Sequence, residues 1–558
     1  MRASLSATPN WIPMHADTAH NQVTQAAQAQ ARASAQGGGQ GQSQTQAQAQ
    51  ASGRVVKQRG RWGVLAILSV SLLLIAMDTT ILNVAFPSLV ADLQPSAVQQ
   101  LWIIDIYALA LSGLLVTAGA LGDKWGRKRL LLFGFGVFAV ASLLAVAATS
   151  SWQVIAARAL LGAGGAAIMP ATLSILRHVF TDARERAFAY SVWAAVLGGG
   201  MALGPVVGGL LVERQGWHSA FLLNVPVALA VIAVGAKMLP ESREPREGGW
   251  DWWGVAQSMA GMFALVGGIK QLGKGGPADP VAWALLAVAA VVLTVFVRRQ
   301  ARLPQPLLQV RLFTNRSFSI AAASIFLGMI AMGAALFLIT QWFQYGQGYS
   351  PLEAGVRLMP APLGLVATSL VTPTLMHRLP IRHVLGGGLV LMAGGLAVPW
   401  FFERSGSLSY AAVALSLAVI GCGVGIATTA ASVTLMASAP ARDVSGAAAI
   451  DETSYELGAA MGVAVLGSLA SALYRTNLPD LGLGGSDTAG VRDSIGEAAH
   501  VAGEIGGSGG TVLLGQVSSA FTSGMTPTFL ISAALPLAAA ALAWALVPHD
   551  LRPTENSH

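Results

Sequence analysis

Six ionisable residues lie inside long apolar runs, where a chain gains nothing by placing them unless they do chemistry. Asp78 sits in WGVLAILSVSLLLIAMDTTILNVAFP, residues 62–87, with no charged neighbour in that run. Arg158 opens the segment Arg158-Ala-Leu-Leu-Gly162-Ala-Gly164, and Asp105 lies in Trp102-Ile-Ile-Asp105-Ile-Tyr107. Asp451, Glu452 and Glu456 crowd around Tyr455 in AIDETSYELG, residues 449–458. A charged side chain at the centre of a bilayer costs roughly 2.5–3.5 kcal/mol on insertion scales, so such residues mark sites for protons, ions or cationic ligands. Glu452 and Glu456, four apart, share a helical face, while Asp451 is turned from them by about 100°. Like charges at that spacing repel, so at least one of the two glutamates is expected to hold a proton when no cation is bound. Five acids against one deep base, Arg158, make a cavity suited to cations.

These residues need helices to carry them across a membrane, and the composition supplies them. Of 558 residues 54% are apolar and 11% are charged, far below the charge of a soluble domain. Apolar runs long enough to cross a hydrocarbon core occur near 62–84, 101–121, 130–149, 153–176, 188–211, 219–239, 251–269, 281–297, 317–340, 354–376, 384–402, 409–436, 446–472 and 525–547. That is fourteen spans, and they read as helices because lipid offers backbone groups no partners. At about 1.5 Å per residue Asp78 lies about 22 Å along its span, and Arg158 enters from the other side to a similar depth. The two are therefore candidates for an ion pair, static or switching. Asp105 lies one turn inside the end of its span, where an interfacial acid reaching water is the plain alternative.

Lys and Arg are concentrated in one set of loops, including Arg54, Lys57, Arg59, Lys124, Arg127, Lys128, Arg129, Arg177, Arg298, Arg299 and Arg302. Arg214, Lys270, Lys274, Arg404, Arg475 and Arg492 fall in the other set. The positive-inside rule then puts both termini in the cytoplasm and accounts for the formal charge of +7 without a nucleic-acid partner. Residues 1–53 form a Gln-, Ala-, Ser- and Gly-rich tract expected to be a disordered cytoplasmic tail, and residues 548–558 are expected to be a cytoplasmic tail. The tract lacks the regions of a signal peptide, so the first span is expected to direct insertion. Cys422 reads as a small core residue. No nucleotide loop, HExxH, nucleophile elbow or Cys/His metal set occurs, so neither a cofactor, a metal nor an enzymatic activity is expected. His178, His218, His377 and His383 read as solvated residues at span ends.

Charged stretches at 240–249 and 298–316 divide the spans into six (62–239), two (251–297) and six (317–547). That division, with the motifs below, resembles the fourteen-span drug:proton antiporters of the major facilitator superfamily. Gly119-Ala-Leu-Gly-Asp123-Lys-Trp-Gly126-Arg127-Lys128-Arg129 resembles the superfamily's signature cytoplasmic loop. The resemblance implies that Asp123 faces a helix N-terminus in the other half, near Arg442 to Gly446, as a conformational latch. Gly200-Met-Ala-Leu-Gly204-Pro205-Val-Val-Gly208-Gly209 resembles the antiporter motif, whose glycines make a flat face for close helix approach and whose proline bends the helix. Trp217-His218-Ser-Ala-Phe221-Leu-Leu-Asn224-Val-Pro226 resembles a further marker, with His218 where Arg is usual, and Asp251-Trp252-Trp253-Gly254 another.

The stretches around Asp105 and Asp451 resemble the quaternary ammonium exporters within that family. The implied fold is an all-α integral membrane protein with the major facilitator architecture, 6+2+6. The implied function is proton-coupled export of lipophilic cations from the plasma (inner) membrane. Asp78, Arg158 and Asp105 are expected to couple protons. Asp451, Glu452, Glu456, Tyr455, Trp102 and Tyr107 are expected to bind substrate, the aromatics through cation-π faces. Leu365 stands where some relatives carry an acid, so recognition of long dications is not implied. The segment from 475 to 524 resembles an extracellular hairpin loop, with VRDSIGEAAHVAGEI and TVLLGQVSSAF as two short amphipathic helices. The expected partners are a cationic small molecule, protons and the bilayer, with the chain acting as a monomer. Export of an endogenous metabolite, an amino acid or a lipid is the rival within the same class; a sensor on a transporter scaffold is the rival outside it.

Overall fold

A computed structural model describes residues 60–242, 251–276, 278–303, 306–406, 408–440, 444–481, 488, 490–492 and 494–548. The expected tail at 1–53 lies outside these residues, as do Arg442 and all of 548–558 except Pro548. Thirteen helices among the described residues are long and apolar enough to cross a bilayer. Trp252–Gly275, with 24 residues, carries Gln257, Lys270 and Gln271 and is not among the thirteen; counted with them it makes the expected fourteen.

In chain order the helices are α1 (Gly60–Leu93), α2 (Ala97–Trp125), α3 (Arg127–Val146), α4 (Ser151–Val179), α5 (Ala183–Gln215), α6 (His218–Leu222) and α7 (Asn224–Met238). Next come α8 (Trp252–Gly275) and α9 (Pro280–Gln300), then α10 (Arg316–Gln341), α11 (Pro351–Arg357), α12 (Pro360–Arg378), α13 (Ile381–Arg404), α14 (Tyr410–Ser438) and α15 (Val444–Asn477). The series ends with α16 (Ile495–Ile505), α17 (Gly507–Ser532) and α18 (Ala534–Leu546). Their ends follow local chemistry. Ser96 caps α2 in a reciprocal box with Gln99, and Gly126 breaks α2 from α3 at φ +116°, a conformation that L side chains rarely adopt.

Gly63–His558 form one contact unit. Within it α2 packs on α4, α3 on α4 and α7, α10 on α14 and α15, and α13 on α14 and α18. α8 and α9 form a hairpin. Asp251 joins its base: the carboxylate caps α8 at the Gly254 N–H (2.9 Å), accepts from Gln300 Nε2 (2.8 Å) and pairs with Arg299. At the other end Gln271 Nε2 donates to Asp279 (2.7 Å), and this bond holds the Asp279 carboxyl below the usual carboxylate range. One face of α8 meets both α2 and α15.

Three expectations need correction. The seventh span does not stop at 269 with Lys270 in a loop; α8 continues to Gly275 because the lysine finds a buried partner instead of water. The segment 511–521 is not a separate amphipathic helix, since α17 runs unbroken from Gly507 through it into the last span. Its neighbour α16 is a discrete helix, capped by the Ser494 hydroxyl accepting from the Glu497 N–H (3.2 Å). Finally, His218 is not simply solvated: its ring stacks on Trp217 at 3.7 Å, and Trp217 donates to Asp92 (2.9 Å).

Candidate functional site

Asp78 is 1% exposed at the junction of four helices. Arg158 Nη1 of α4 meets its Oδ2 at 3.0 Å, and Asn224 Nδ2, the first residue of α7, donates to its Oδ1 at 2.8 Å. Arg158 Nε donates in turn to the Ile103 carbonyl of α2 (3.4 Å), and the guanidinium carbon lies 4.4 Å from the centre of the Tyr107 ring. Glycines make this approach possible. A Cβ on Gly162 of α4 would run into the Tyr107 carbonyl, and one on Gly204 of α5 would overlap Thr80 Oγ1 and stand 2.9 Å from the Met77 carbonyl. Gly200 and Gly208 meet Ala76 and Ile81 in the same way, so the glycine face of α5 lies against α1 on both sides of Asp78.

A second ion pair is buried beside the first. Lys270 Nζ of α8 lies 3.1 Å from Asp105 Oδ2, with both side chains inaccessible to solvent. The ammonium also stands 4.1 Å from the centre of the Trp102 ring. Asp105 is therefore not an interfacial acid reaching water. One turn of α2 serves both cations: Ile103 and Tyr107 face Arg158, while Trp102 and Asp105 face Lys270. The cation-π faces of Trp102 and Tyr107, expected to be open for a ligand, are occupied by the protein's own Lys270 and Arg158.

On α15 the three acids differ. Asp451 accepts from the Ser432 hydroxyl of α14 at 2.9 and 3.0 Å. Glu456 is 7% exposed and Glu452 half-buried, and among the described residues neither has a hydrogen-bonding or ion-pair partner. Arg158 nevertheless lies within electrostatic reach of Glu456, and Tyr107 within reach of Asp78, Glu452 and Glu456. The Tyr107 hydroxyl is buried without a hydrogen-bond partner among the described residues. Tyr455 reaches across to Met201 Sδ of α5 (3.5 Å). Near this contact an apolar pocket opens between α1 and α5 on one side and α10 to α12 on the other, lined by Thr80, Asn83, Met201, Met332, Met359 and Leu365.

A family profile for the Major Facilitator Superfamily matches residues 68–471. The chain belongs to this superfamily. It is 40% identical to the multidrug efflux pump LfrA of Mycolicibacterium smegmatis over 482 residues, covering 86% of this chain and 95% of that protein. It is 35% identical to the methyl viologen resistance protein SmvA of Salmonella typhimurium, over 83% of this chain and 93% of that one. Among solved structures, an inward-facing bacterial homologue of the lysosomal transporter Spinster matches with a TM-score of 0.60 at 16% identity, over 87% of this chain and 98% of that chain, a likeness of fold. The chain is thus a multi-pass membrane transporter among the superfamily's drug-efflux members, and not an enzyme.

The major facilitator signature loop spans the α2–α3 break. Gly119 packs near Pro170, and at Gly126 a Cβ would collide with the Glu241 carboxylate. Glu241 accepts from the Lys128 N–H (3.2 Å) and pairs with Arg129 (3.6 Å), while the Arg127 N–H donates to the Ser242 carbonyl (3.1 Å). An acid thus sits at the N-terminus of α3, where the helix dipole favours it. The side chain of Asp123 and its expected partner Arg442 lie outside what is described. Pro205 is inside α5, and its carbonyl sits where a Cβ on Gly355 of α11 would go. The sequence reading gave Lys270 and Asn224 no part in the site. Each left a signal, a hydrogen-bonding side chain inside an apolar run (VGGIKQL and FLLNVPVALAV).

Proposed function

We propose that this transporter is a proton-coupled antiporter that exports lipophilic cations such as quaternary ammonium compounds and cationic dyes. In this reading α1 to α7 rock against α10 to α18, with α8 and α9 as the extra pair, and both termini are cytoplasmic. The end of the bundle that carries α16 is then the outer end. The observation that carries the proposal is the junction at Arg158 and Tyr107. There a neutralised acid, Asp78, and an acid without a described ion-pair partner, Glu456, lie within electrostatic reach of both Arg158 and Tyr107, and Glu452 lies within reach of Tyr107. Burial disfavours the charged form of an acid and a nearby cation favours it, so a drug cation arriving at Glu452 and Glu456 favours loss of a proton from this set of acids, and a proton arriving there disfavours the cation. That competition links the two flows, because each ligand changes the affinity of the other.

Within this scheme Asp78, with Arg158, carries the proton, and Glu452 and Glu456, flanked by Asp451 and Tyr455, receive the cation. In this reading Met201, Met332 and Met359, which line the apolar pocket, repack around the lipophilic body of such a molecule, since thioethers adapt to varied shapes. Methyl viologen, for which one relative is named, is a small quaternary dication and belongs to the same charge class. Leu365 lines the pocket here, so the proposal is for monovalent cations first. The test is proton release on adding a monovalent lipophilic cation to reconstituted protein. Wild type should release protons, and Asp78→Asn and Glu452→Gln should each abolish pH-gradient-driven uptake. Full transport by both variants would contradict the reading.

A further inference from the structure

The pair on α8 has features that a purely structural contact does not need. Lys270 Nζ makes one contact with Asp105, at 3.1 Å to Oδ2, and neither side chain has another hydrogen-bonding partner among the described residues, unlike the saturated pair at Asp78. A lysine held this way can leave with little to break, whereas a bidentate-capable arginine is built to stay. The same end of α8 is bound to the other half of the molecule. A Cβ on Gly273 would overlap Ser468 of α15, and Arg475 of α15 donates to the Gly273 carbonyl. Gly267 and Gly268, three and two residues before Lys270, are a weak point at which the last turns of α8 can bend.

At this end α1, α2 and their connection are closed against the segment after α10 and against α16. Gln344 Nε2 donates to the Val84 carbonyl (3.1 Å), Gln100 Nε2 to Ser494 Oγ (3.1 Å), and Gln94 meets His500 (2.8 Å). The intact Lys270–Asp105 pair therefore belongs to the state closed at the α16 end.

We propose that Lys270 is the exchangeable counter-ion of Asp105: it pairs with the carboxylate while the α16 end is closed and is drawn away with α15 when that end opens. The inference rests on the proton-coupling reading above. Opening leaves Asp105 an unpaired buried carboxylate, which is strongly disfavoured and takes a proton from the newly admitted external water. Closing returns the ammonium, and the proton leaves Asp105 toward the inner side. One proton is bound and one released, and the lysine keeps its own charge throughout. Charged or titratable groups on the packed elements include Lys270 of α8, Arg158 of α4 beyond the Ile103 carbonyl, Tyr107 of α2, and Asp451, Glu452, Tyr455, Glu456, Tyr474 and Arg475 of α15. Among the described residues only Lys270 is at ion-pair distance from Asp105. Lys270 is thus a positioning residue for proton transfer, and the accessory helices take part in the cycle.

Two readouts on the full chain test this. The first is labelling by dicyclohexylcarbodiimide, which attacks protonated carboxyls in apolar surroundings, read at Asp105 by peptide mass spectrometry in the absence of any drug. Labelling should be low in wild type and in Lys270→Arg, and several-fold higher in Lys270→Met. Equal labelling of wild type and Lys270→Met overturns the proposal. The second compares uptake of tetraphenylphosphonium driven by a pH gradient with its equilibrium exchange in proteoliposomes. Lys270→Met should lose about tenfold in driven uptake and keep exchange, and Asp105→Asn/Lys270→Met should match Asp105→Asn alone. Equal loss of both activities, or additive loss in the double variant, marks a structural contact and overturns it. The double variant leaves no orphaned charge and so guards against simple misfolding. Failure of wild type to move tetraphenylphosphonium, with the labelling difference intact, would count against the drug reading and leave the counter-ion assignment standing.

Discussion

Asp78 and Glu456 are both buried acids within reach of Arg158, and their surroundings are opposite. Asp78 has a guanidinium and an amide aimed at its two oxygens, and its neighbouring helices are held close by glycine faces. Glu456 and Glu452 have no such partners among the described residues, and the cluster's sole described donor, Ser432, serves Asp451. The first centre is balanced in charge; the second gathers acids with no described counter-charge in contact, which on the proposed reading receive the cation. A proton entering the first must displace Arg158, whereas a cation entering the second displaces no described side-chain partner, only the proton that a glutamate holds. On the proposed reading that difference goes with proton coupling at α1 and α4 and cation recognition at α15.

The comparison can be broken most forcefully at Arg158. Arg158→Met leaves Asp78 as an uncompensated buried charge, and removing one partner of such a pair costs about 3–5 kcal/mol. A large drop in melting temperature is expected, with much of it recovered in Asp78→Asn/Arg158→Met; no drop would mean the first centre is not a balanced pair. Asn224→Ala removes one hydrogen bond to the same carboxylate and should cost about 1.5–3 kcal/mol. A loss below the error of the melting measurement would show that Asp78 does not depend on α7. Gly204→Ala places a methyl against Thr80 and the Met77 carbonyl, an overpacking worth about 1–3 kcal/mol. It should lower yield and stability while leaving the relative affinities for different cations unchanged; altered selectivity would instead put α5 in the binding site.

The smallest effect on stability is expected in the second centre. Glu452→Gln/Glu456→Gln relieves a repulsion between neighbours four apart, worth about 0.2–0.5 kcal/mol on a helix surface. The protein should be at least as stable as wild type and yet lose cation binding. A clear loss of stability would mean that these acids have structural partners, and the contrast with Asp78 would collapse.

Much of this was legible in the sequence, for reasons that can be named. The Asp78–Arg158 pair follows from depth, because a fixed rise per residue places both side chains in one layer. The glycine face of α5 follows from spacing alone, and so does the shared face of Glu452 and Glu456. Lys270 was missed because a hydropathy reading ends a span at the first lysine, and only a buried partner on another helix shows that the span continues. Trp102 and Tyr107 were expected to face a ligand because sequence reports an aromatic ring but not which cation reaches it first. Asn224 and the joined α17 depend in the same way on contacts between distant segments.

The division of labour is tested most directly by measuring equilibrium binding of tetraphenylphosphonium and its pH-gradient-driven uptake on the same preparations of Asp78→Asn and Glu452→Gln/Glu456→Gln. The account predicts that Asp78→Asn binds the cation like wild type but cannot concentrate it, while the glutamate variant fails to bind it at all. Loss of binding in Asp78→Asn, with binding retained in the glutamate variant, would contradict it.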